Sequence, residues 1–193
     1  MKDWLCDAGA PARPGPGGNG HVHDGFGHVL DQVYPAVVGT LAELRTDGQG
    51  VFLTGHGLPV GALAMLVGAR LYLEKPHLVV DGVYTYGQPR TCDRLLAEAF
   101  HNGFGGRMYR FVNDADIVSQ LPPEPAFTHV RALRYFDSHG QLHDCMLMLS
   151  VLADRAGQPA AEAFVPTSDG IRDHFMRSYL TVCRRTSRDQ GSA

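Results

Sequence analysis

Three positions of the chain follow the order of an acyl-transfer centre, and two of them have its residue types. This chemistry needs an exposed nucleophile, a base beside it, and a carboxylate that holds the base in one tautomer. Asp116 follows a β-prone stretch, and His174 comes later in the chain. The third position lies at the point of a sharp turn and is occupied by Gly57, which carries no hydroxyl. The sequence therefore predicts the frame of an ester-hydrolysing triad that lacks its nucleophile.

The turn that contains Gly57 lies in the stretch GHGLPVGALA, residues 55–64. Residues 51–54 form a short β-prone run that fits a buried parallel strand. Residues 59–74 are predicted to form the next helix, with Pro59 in its first turn. The small residues around Gly57 allow the backbones of this strand and helix to pass close together. The stretch is thus predicted to be a strand, a sharp turn and a helix.

Helices and strands alternate along the rest of the chain. Further strands are predicted at residues 78–86, 107–112 and 130–136, and helices at residues 28–44, 91–101 and 168–184. This alternation predicts a single α/β domain, built on a mostly parallel sheet flanked by helices. Residues 1–20 are expected to be loop-rich, because the Pro- and Gly-dense residues 8–20 disfavour regular structure. Residues 185–193 are expected to form a flexible tail.

The composition argues against several classes of protein. The chain has 193 residues, of which 44% are hydrophobic and 19% charged, as expected for a soluble globular domain. Its net charge of −3 gives no basic surface for nucleic acid. The longest apolar run, residues 145–153, is far too short to span a bilayer. No secretory signal is expected, because no apolar stretch follows Met1-Lys2-Asp3. Four widely spaced cysteines predict free thiols in the reducing cytoplasm: Cys6, Cys92, Cys145 and Cys183.

Sequence motifs run along most of the chain. They are DWLCD (residues 3–7), HVHDGF (21–26), LTGHGLPVGALA (53–64), YTYGQPRTCD (84–93), RFVNDADIVSQLPP (110–123) with FTHV (127–130), and DHFMRSY (173–179). In this order they resemble the D-W-x-x-D, V-H-x-G-F, T-G-H-S-L-G-G-A-L-A, T-F-G-Q-P-R-V-G-N, R-x-V-N-x-x-D-I-V-P-x-L-P-P and D-H-x-x-Y motifs of the class 3, or fungal-type, lipases. The GQPR and DIV…LPP motifs are quite specific when they occur together.

The resemblance implies an α/β-hydrolase fold and the hydrolysis of acylglycerols or other ester lipids, without a cofactor or metal. By position, Asp116 corresponds to the triad aspartate, His174 to the triad histidine and Gly57 to the nucleophile. The backbone N–H of Leu58 corresponds to one oxyanion donor. Asp114 competes with Asp116 as the acid, and the D-I-V alignment favours Asp116.

The chain departs from the family pattern in three places. Gly57 has no hydroxyl, and the turn contains one extra residue, because LPVGA stands where the family has L-G-G-A. The early strands of the sheet, and the R-G-T or R-G-S segment that supplies a second oxyanion donor, are expected to be missing ahead of Asp3. These departures predict a diverged or truncated, catalytically impaired member, since losing the nucleophile in a serine protease costs about a millionfold in kcat.

Two alternatives remain open at this point. One is a non-enzymatic module that binds acyl lipid or a partner in the pocket between Gly57, Asp116 and His174. The other is a truncated gene product, or a start codon assigned too late. Without the early strands, the strand at residues 51–54 is expected to have an open edge. We expect residues of this chain, a partner or a second copy in a homo-oligomer to cover that edge.

The remaining candidate groups are expected to be structural. His21, His23 and His28 have no carboxylate or cysteine at ligand spacing, so no metal site is predicted. His56 and His129 are expected to be packed histidines. Three serines lie outside the turn and are not expected to replace the nucleophile: Ser119, Ser150 and Ser168.

Overall fold

A computed structural model of the chain describes residues 11–46, 48–144 and 168–190. The strands in these residues are β1 (Ala12–Pro14), β2 (His21–His23), β3 (Phe52–His56), β4 (Gly82–Tyr86), β5 (Met108–Asn113), β6 (Leu133–Phe136) and β7 (Leu142–His143). The helices are α1 (Asp24–Leu44), α2 (Ala62–Glu74), α3 (Arg94–Phe104), α4 (Ser168–His174) and α5 (Met176–Gln190).

The central sheet has five strands in the order β3-β4-β5-β6-β7. The first four are parallel, and β7 pairs antiparallel with β6. Helices α1, α2 and α3 pack on one face of the sheet, and Tyr179 of α5 packs against Tyr86 on the other. The prediction of an α/β fold with a mostly parallel sheet flanked by helices is therefore confirmed.

Helix α2 is the central helix of the core. Met65, Leu66 and Leu71 are fully buried, and they belong to a cluster with Phe26 of α1 and Phe100 of α3. Because α2 is buried on nearly all sides, its residues are apolar around the whole helix rather than along one face only. The stretch Gly57–Glu74 has the length and composition of a membrane-spanning helix, but 56% of it is buried inside the fold. A helix buried in a protein core can have the same length and apolar composition as a membrane-spanning helix.

The structure differs from the sequence-based expectation near both ends of the chain. Within the Pro- and Gly-rich stretch, β1 pairs antiparallel with β2. Proline is tolerated there because a short edge strand leaves some backbone N–H groups unpaired. The sequence predicts one terminal helix ending at residue 184, but the helix breaks at Phe175 and then reaches Gln190. Residues 171–190 contain no glycine or proline that would end it earlier.

Strand β3 forms one edge of the central sheet. Within the part of the chain that the structure describes, it pairs with β4 and has no strand on its other side. The side chain of Phe52 is 61% exposed at this edge. That this chain, a partner or a second copy covers the edge stays a prediction.

Candidate active site

The turn after β3 places Gly57 in a backbone conformation that side chains rarely adopt. Its φ is +61°, in the left-handed region. Gly55 precedes it by two residues, and a Cβ at Gly55 would lie 2.3 Å from the carbonyl oxygen of Val60. The turn therefore needs glycine at both positions, one for its dihedral angle and one for the close approach of the backbones.

The helix after this turn starts later than predicted. The sequence predicts Pro59 in its first turn, but α2 begins at Ala62. Residues Gly57–Gly61 form a wide, irregular turn instead, and Leu58 is extended, with φ −92° and ψ 134°. The extra residue in this stretch is thus accommodated before the helix begins. The role of the Leu58 N–H as an oxyanion donor stays a prediction.

Asp116 lies just beyond the end of β5 and is fully buried. One carboxylate oxygen accepts hydrogen bonds from the backbone N–H of Val118, at 2.9 Å, and from Nδ1 of His174, at 3.0 Å. The other accepts from the hydroxyl of Tyr179, at 2.6 Å. The carboxylate is therefore held in one orientation, because each of its oxygens accepts a bond from a different element.

His174 ends α4 and directs its ring at Gly57. Its Nδ1 donates to Asp116, so the neutral imidazole has its basic nitrogen at Nε2. A Cβ at residue 57 would stand 2.7 Å from this Nε2. The His174 side chain is 20% exposed, so solvent or a small molecule can reach it. The structure thus brings Gly57, Asp116 and His174 together.

His56 supports His174 from the turn side. The two rings stack with their centroids 4.8 Å apart, and His56 Nε2 donates to the backbone carbonyl of His174 at 2.7 Å. Burial lowers the pKa of His56, so its ring is neutral at pH 7. Asn113 donates through its side-chain amide to the backbone carbonyl of Asp173, the residue before His174, at 3.0 Å. His56 is therefore a packed histidine that positions another.

Tyr179 and Gly87 also belong to the site, although the sequence alone predicts a role for neither. The buried Tyr179 hydroxyl accepts from the backbone N–H of Asn113 at 3.0 Å while it donates to Asp116. Burial, and then the Asp116 charge, raise the pKa of Tyr179 well above its ordinary value, so it remains a donor. Gly87 has φ +56°, and a Cβ there would lie 2.4 Å from Asp116 Oδ2 and 2.8 Å from His174 Nδ1. Gly87 lies in the YTYGQPRTCD motif and Tyr179 in the DHFMRSY motif, but the motifs do not indicate which side chains contact Asp116.

The structure separates the two candidate acids. Asp114 accepts a hydrogen bond from the hydroxyl of Tyr135 at 3.2 Å, whereas Asp116 accepts from His174. Ser119 is buried, and its hydroxyl donates to the backbone carbonyl of Asp116. Ser168 begins α4, and Ser150 lies outside the described residues.

The amino-terminal histidines make contacts with different partners. His21 Nδ1 lies 3.1 Å from a carboxylate oxygen of Asp93, while His23 is buried and packs against Phe26. His28 is exposed on α1. Within residues 11–46, 48–144 and 168–190, no three histidine, cysteine or acidic side chains cluster as a metal site would require.

Comparison with known proteins identifies the family. The family described as lipase (class 3) matches residues 1–126. The chain belongs to the class 3 lipase family. Solved lipases share its fold: the mono- and diacylglycerol lipase of Aspergillus oryzae superposes with a TM-score of 0.69 at 23% identity, covering 90% of this chain and 65% of that one. The Rhizomucor miehei lipase in its propeptide complex superposes with a TM-score of 0.61 at 28% identity, covering 73% of this chain and 47% of that one.

Two curated relatives of this lipase domain are 35–37% identical to it over part of its length. The triacylglycerol lipase OBL1 of Nicotiana tabacum is 37% identical over 95 residues, which is 45% of this chain and 16% of that protein. The secreted mono- and diacylglycerol lipase LIP4 of Malassezia restricta is 35% identical over 105 residues, which is 52% of this chain and 33% of that protein. The chain thus spans a third or less of the length of these relatives.

An apolar pocket of about 560 Å³ opens beside His56 in this lipase fold. Its lining consists of Thr54, Gly55, His56, Val60, Tyr86, Met176, Tyr179, Leu180 and Cys183. Several apolar side chains at its mouth are about half exposed, among them Val60 at 53%, Met176 at 46% and Leu180 at 45%. We call this cavity the α5 pocket. It offers an apolar surface next to the His56–His174 stack.

Replacing Gly87 by alanine is expected to disrupt the Asp116–His174 hydrogen bond. The added Cβ would collide with Asp116 Oδ2. The backbone φ of +56° at residue 87 would add strain of roughly 1–3 kcal/mol once the residue has a side chain. We expect a lower melting temperature and loss of the downfield proton resonance of the His174 Nδ1–H. Gly18→Ala is the matched control, because Gly18 has φ +72° and open space around it. A Gly87→Ala variant that keeps the resonance would contradict this account.

Replacing Gly57 by serine is expected to lower the melting temperature. The strain at φ +61° costs roughly 1–3 kcal/mol, and the new side chain must also displace the His174 ring. Gly18→Ser isolates the effect of φ, because no atom lies within 4 Å of a Cβ there. Thermal unfolding by circular dichroism measures both variants. A serine variant as stable as the wild type would show that the turn is not strained.

Proposed function

We propose that this class 3 lipase domain keeps the frame of an ester-hydrolysing site but is catalytically impaired. The observation that carries the proposal is the placement of His174 Nε2, 2.7 Å from where a Cβ at residue 57 would stand. A general base thus faces the nucleophile position, supported by Asp116, while Gly57 supplies no hydroxyl. The site has the base and the acid of an acyl-transfer centre, and nothing at residue 57 for the base to activate.

The chemistry of such a centre defines the impairment. In a complete triad the hydroxyl attacks the ester carbonyl, the histidine takes its proton, and the aspartate stabilises the imidazolium that forms. Here the acyl-enzyme cannot form at residue 57. In serine proteases, losing the nucleophile costs about a millionfold in kcat, or about 8 kcal/mol of transition-state stabilisation. His174 is left to activate water, a far slower route.

We propose an acylglycerol or a similar ester lipid as the ligand of the site. The support is the family itself and the names of relatives, a triacylglycerol lipase and a mono- and diacylglycerol lipase. The α5 pocket provides apolar surface for an acyl chain beside the His56–His174 stack. The proposed hydrolysis uses protein groups and water alone.

Labelling with a fluorophosphonate probe tests the impairment. We expect no labelling of the wild type and clear labelling of Gly57→Ser, because the new hydroxyl would lie beside the His174 base. The labelling should vanish when His174→Ala is added. Gly57→Ala is the matched control, since it shares the backbone strain but has no hydroxyl.

Two results would overturn this proposal. One is labelling of the wild type at any serine, which would reveal a nucleophile elsewhere. The other is a Gly57→Ser variant that keeps the downfield His174 Nδ1–H resonance, and so the Asp116–His174 hydrogen bond, yet remains unlabelled, since a base held beside residue 57 should activate a hydroxyl there. Hydrolysis of p-nitrophenyl butyrate provides a second readout for all four proteins.

A second candidate function is the binding of acyl lipid without turnover. The observation that favours it is the apolar lining of the α5 pocket, with Met176 and Leu180 about half exposed at its mouth. An apolar chain that covers these side chains would remove them from water, and that burial is favourable. A protein that cannot hydrolyse an ester can still hold its acyl chain in this way.

Binding of a fluorescent fatty-acid analogue tests this second function. We expect Leu180→Asp to weaken binding about tenfold, because one large apolar contact is lost and a charge faces the chain. Leu95→Asp is the matched control, since Leu95 is 66% exposed on α3, across the sheet from the pocket. Absence of binding by the wild type, or equal loss in both variants, would exclude the α5 pocket as an acyl site.

A further inference from the structure

A second cavity, of about 530 Å³, lies beside β5 and β6. Three arginines line it, namely Arg110, Arg131 and Arg134, and we call it the arginine pocket. Arg110 is on β5 and Leu133, its direct partner across the strands, is on β6. Its lining shares no residue with the α5 pocket, and it includes none of Gly57, Asp116 and His174. The cavity is therefore separate from the candidate active site.

Arg110 is a buried cation without a counter-ion among the described residues. Only 8% of it is exposed, and its Nε has no hydrogen-bond partner within the described part of the chain. No described carboxylate lies within 4.0 Å of its guanidinium. Burial lowers the pKa of Arg110 to about 10, so it remains charged at pH 7. A buried, unpaired charge is strongly unfavourable unless something neutralises it.

The two acidic side chains of the pocket are already paired with other arginines. Glu124 lies 3.6 Å from Arg90, and Asp144 lies 3.3 Å from Arg134. Both carboxylates are exposed, at 63% and 83%. Arg131 at the rim has no carboxylate within 4.0 Å in the described residues. Within the described residues, the guanidinium groups of Arg110 and Arg131 thus have no carboxylate at ion-pair distance, although the charge of Glu98 acts on Arg131 from farther away.

We propose that the arginine pocket binds a phosphate monoester group, with Arg110 at its base and Arg131 at its rim. A phosphate monoester carries between one and two negative charges near pH 7, which matches two unpaired guanidinium groups. Guanidinium presents its donors as a fork that fits phosphate oxygens. Val130, Ala132 and Leu133 add an apolar wall for the carbon chain of the ester. The phosphate can come from a small soluble ester or from a lipid head group.

Thermal unfolding in the presence of phosphate tests the site. We expect inorganic phosphate at pH 7.5 to raise the melting temperature by about 5 °C over sodium chloride of equal ionic strength, at concentrations well above Kd. Glycerol 3-phosphate and monomeric dihexanoyl phosphatidic acid are the two further arms. A larger rise with glycerol 3-phosphate points to a small ester, and a larger rise with phosphatidic acid to a lipid head group. No rise with any of the three would overturn the proposal.

Two variants locate the effect in the arginine pocket. Arg131→Gln should lose most of the phosphate-induced shift, whereas Arg177→Gln, which removes an exposed arginine of α5, should keep it. Leu133→Glu places a carboxylate opposite Arg110 and should raise the melting temperature in chloride while it abolishes the response to phosphate. If Arg131→Gln and Leu133→Glu both respond as the wild type does, the anion binds elsewhere and the proposal is wrong.

Discussion

The buried carboxylate of Asp116 is the group on which the arrangement of this site depends. It is fully removed from solvent, and it accepts hydrogen bonds from three parts of the chain: the loop after β5, His174 and Tyr179 of α5. A buried charge is tolerated only when hydrogen bonds replace the water that it loses. Those bonds therefore fix α4 and α5 against the end of β5. They also fix the tautomer of His174 and aim its Nε2 at the turn after β3.

Around that carboxylate, glycine determines how closely the loops approach. Gly87 lets the end of β4 pass the Asp116–His174 pair, and Gly57 lets the His174 ring approach the turn more closely than a residue with a side chain would allow. The His174 ring lies within the space that a side chain at residue 57 would need. His56 supports His174 through a stacked ring and a hydrogen bond to its backbone carbonyl.

Strand β5 and the loop after it carry two buried charges whose surroundings differ. Beyond its end, Asp116 has all of its hydrogen-bonding needs met by the protein. In its middle, Arg110 has no carboxylate beside it in the described residues and lines an open cavity. The same physical rule, that a buried charge needs a partner, explains the rigidity of the first site and leads to the inference of an external anion at the second.

Much of the fold follows from the sequence, because periodicity and turn residues are local properties. The alternation of strands and helices predicts the parallel sheet, and the motifs place Gly57, Asp116 and His174 in the right chain order. Element boundaries were less accurate: α2 starts at Ala62, after an irregular turn that periodicity does not reveal. Only the tertiary structure showed that His56 supports His174, that Tyr179 holds Asp116, and that no carboxylate in the described part of the chain pairs with Arg110. Those contacts join residues far apart in the chain, 118 positions in the case of His56 and His174, so packing rather than local sequence decides them.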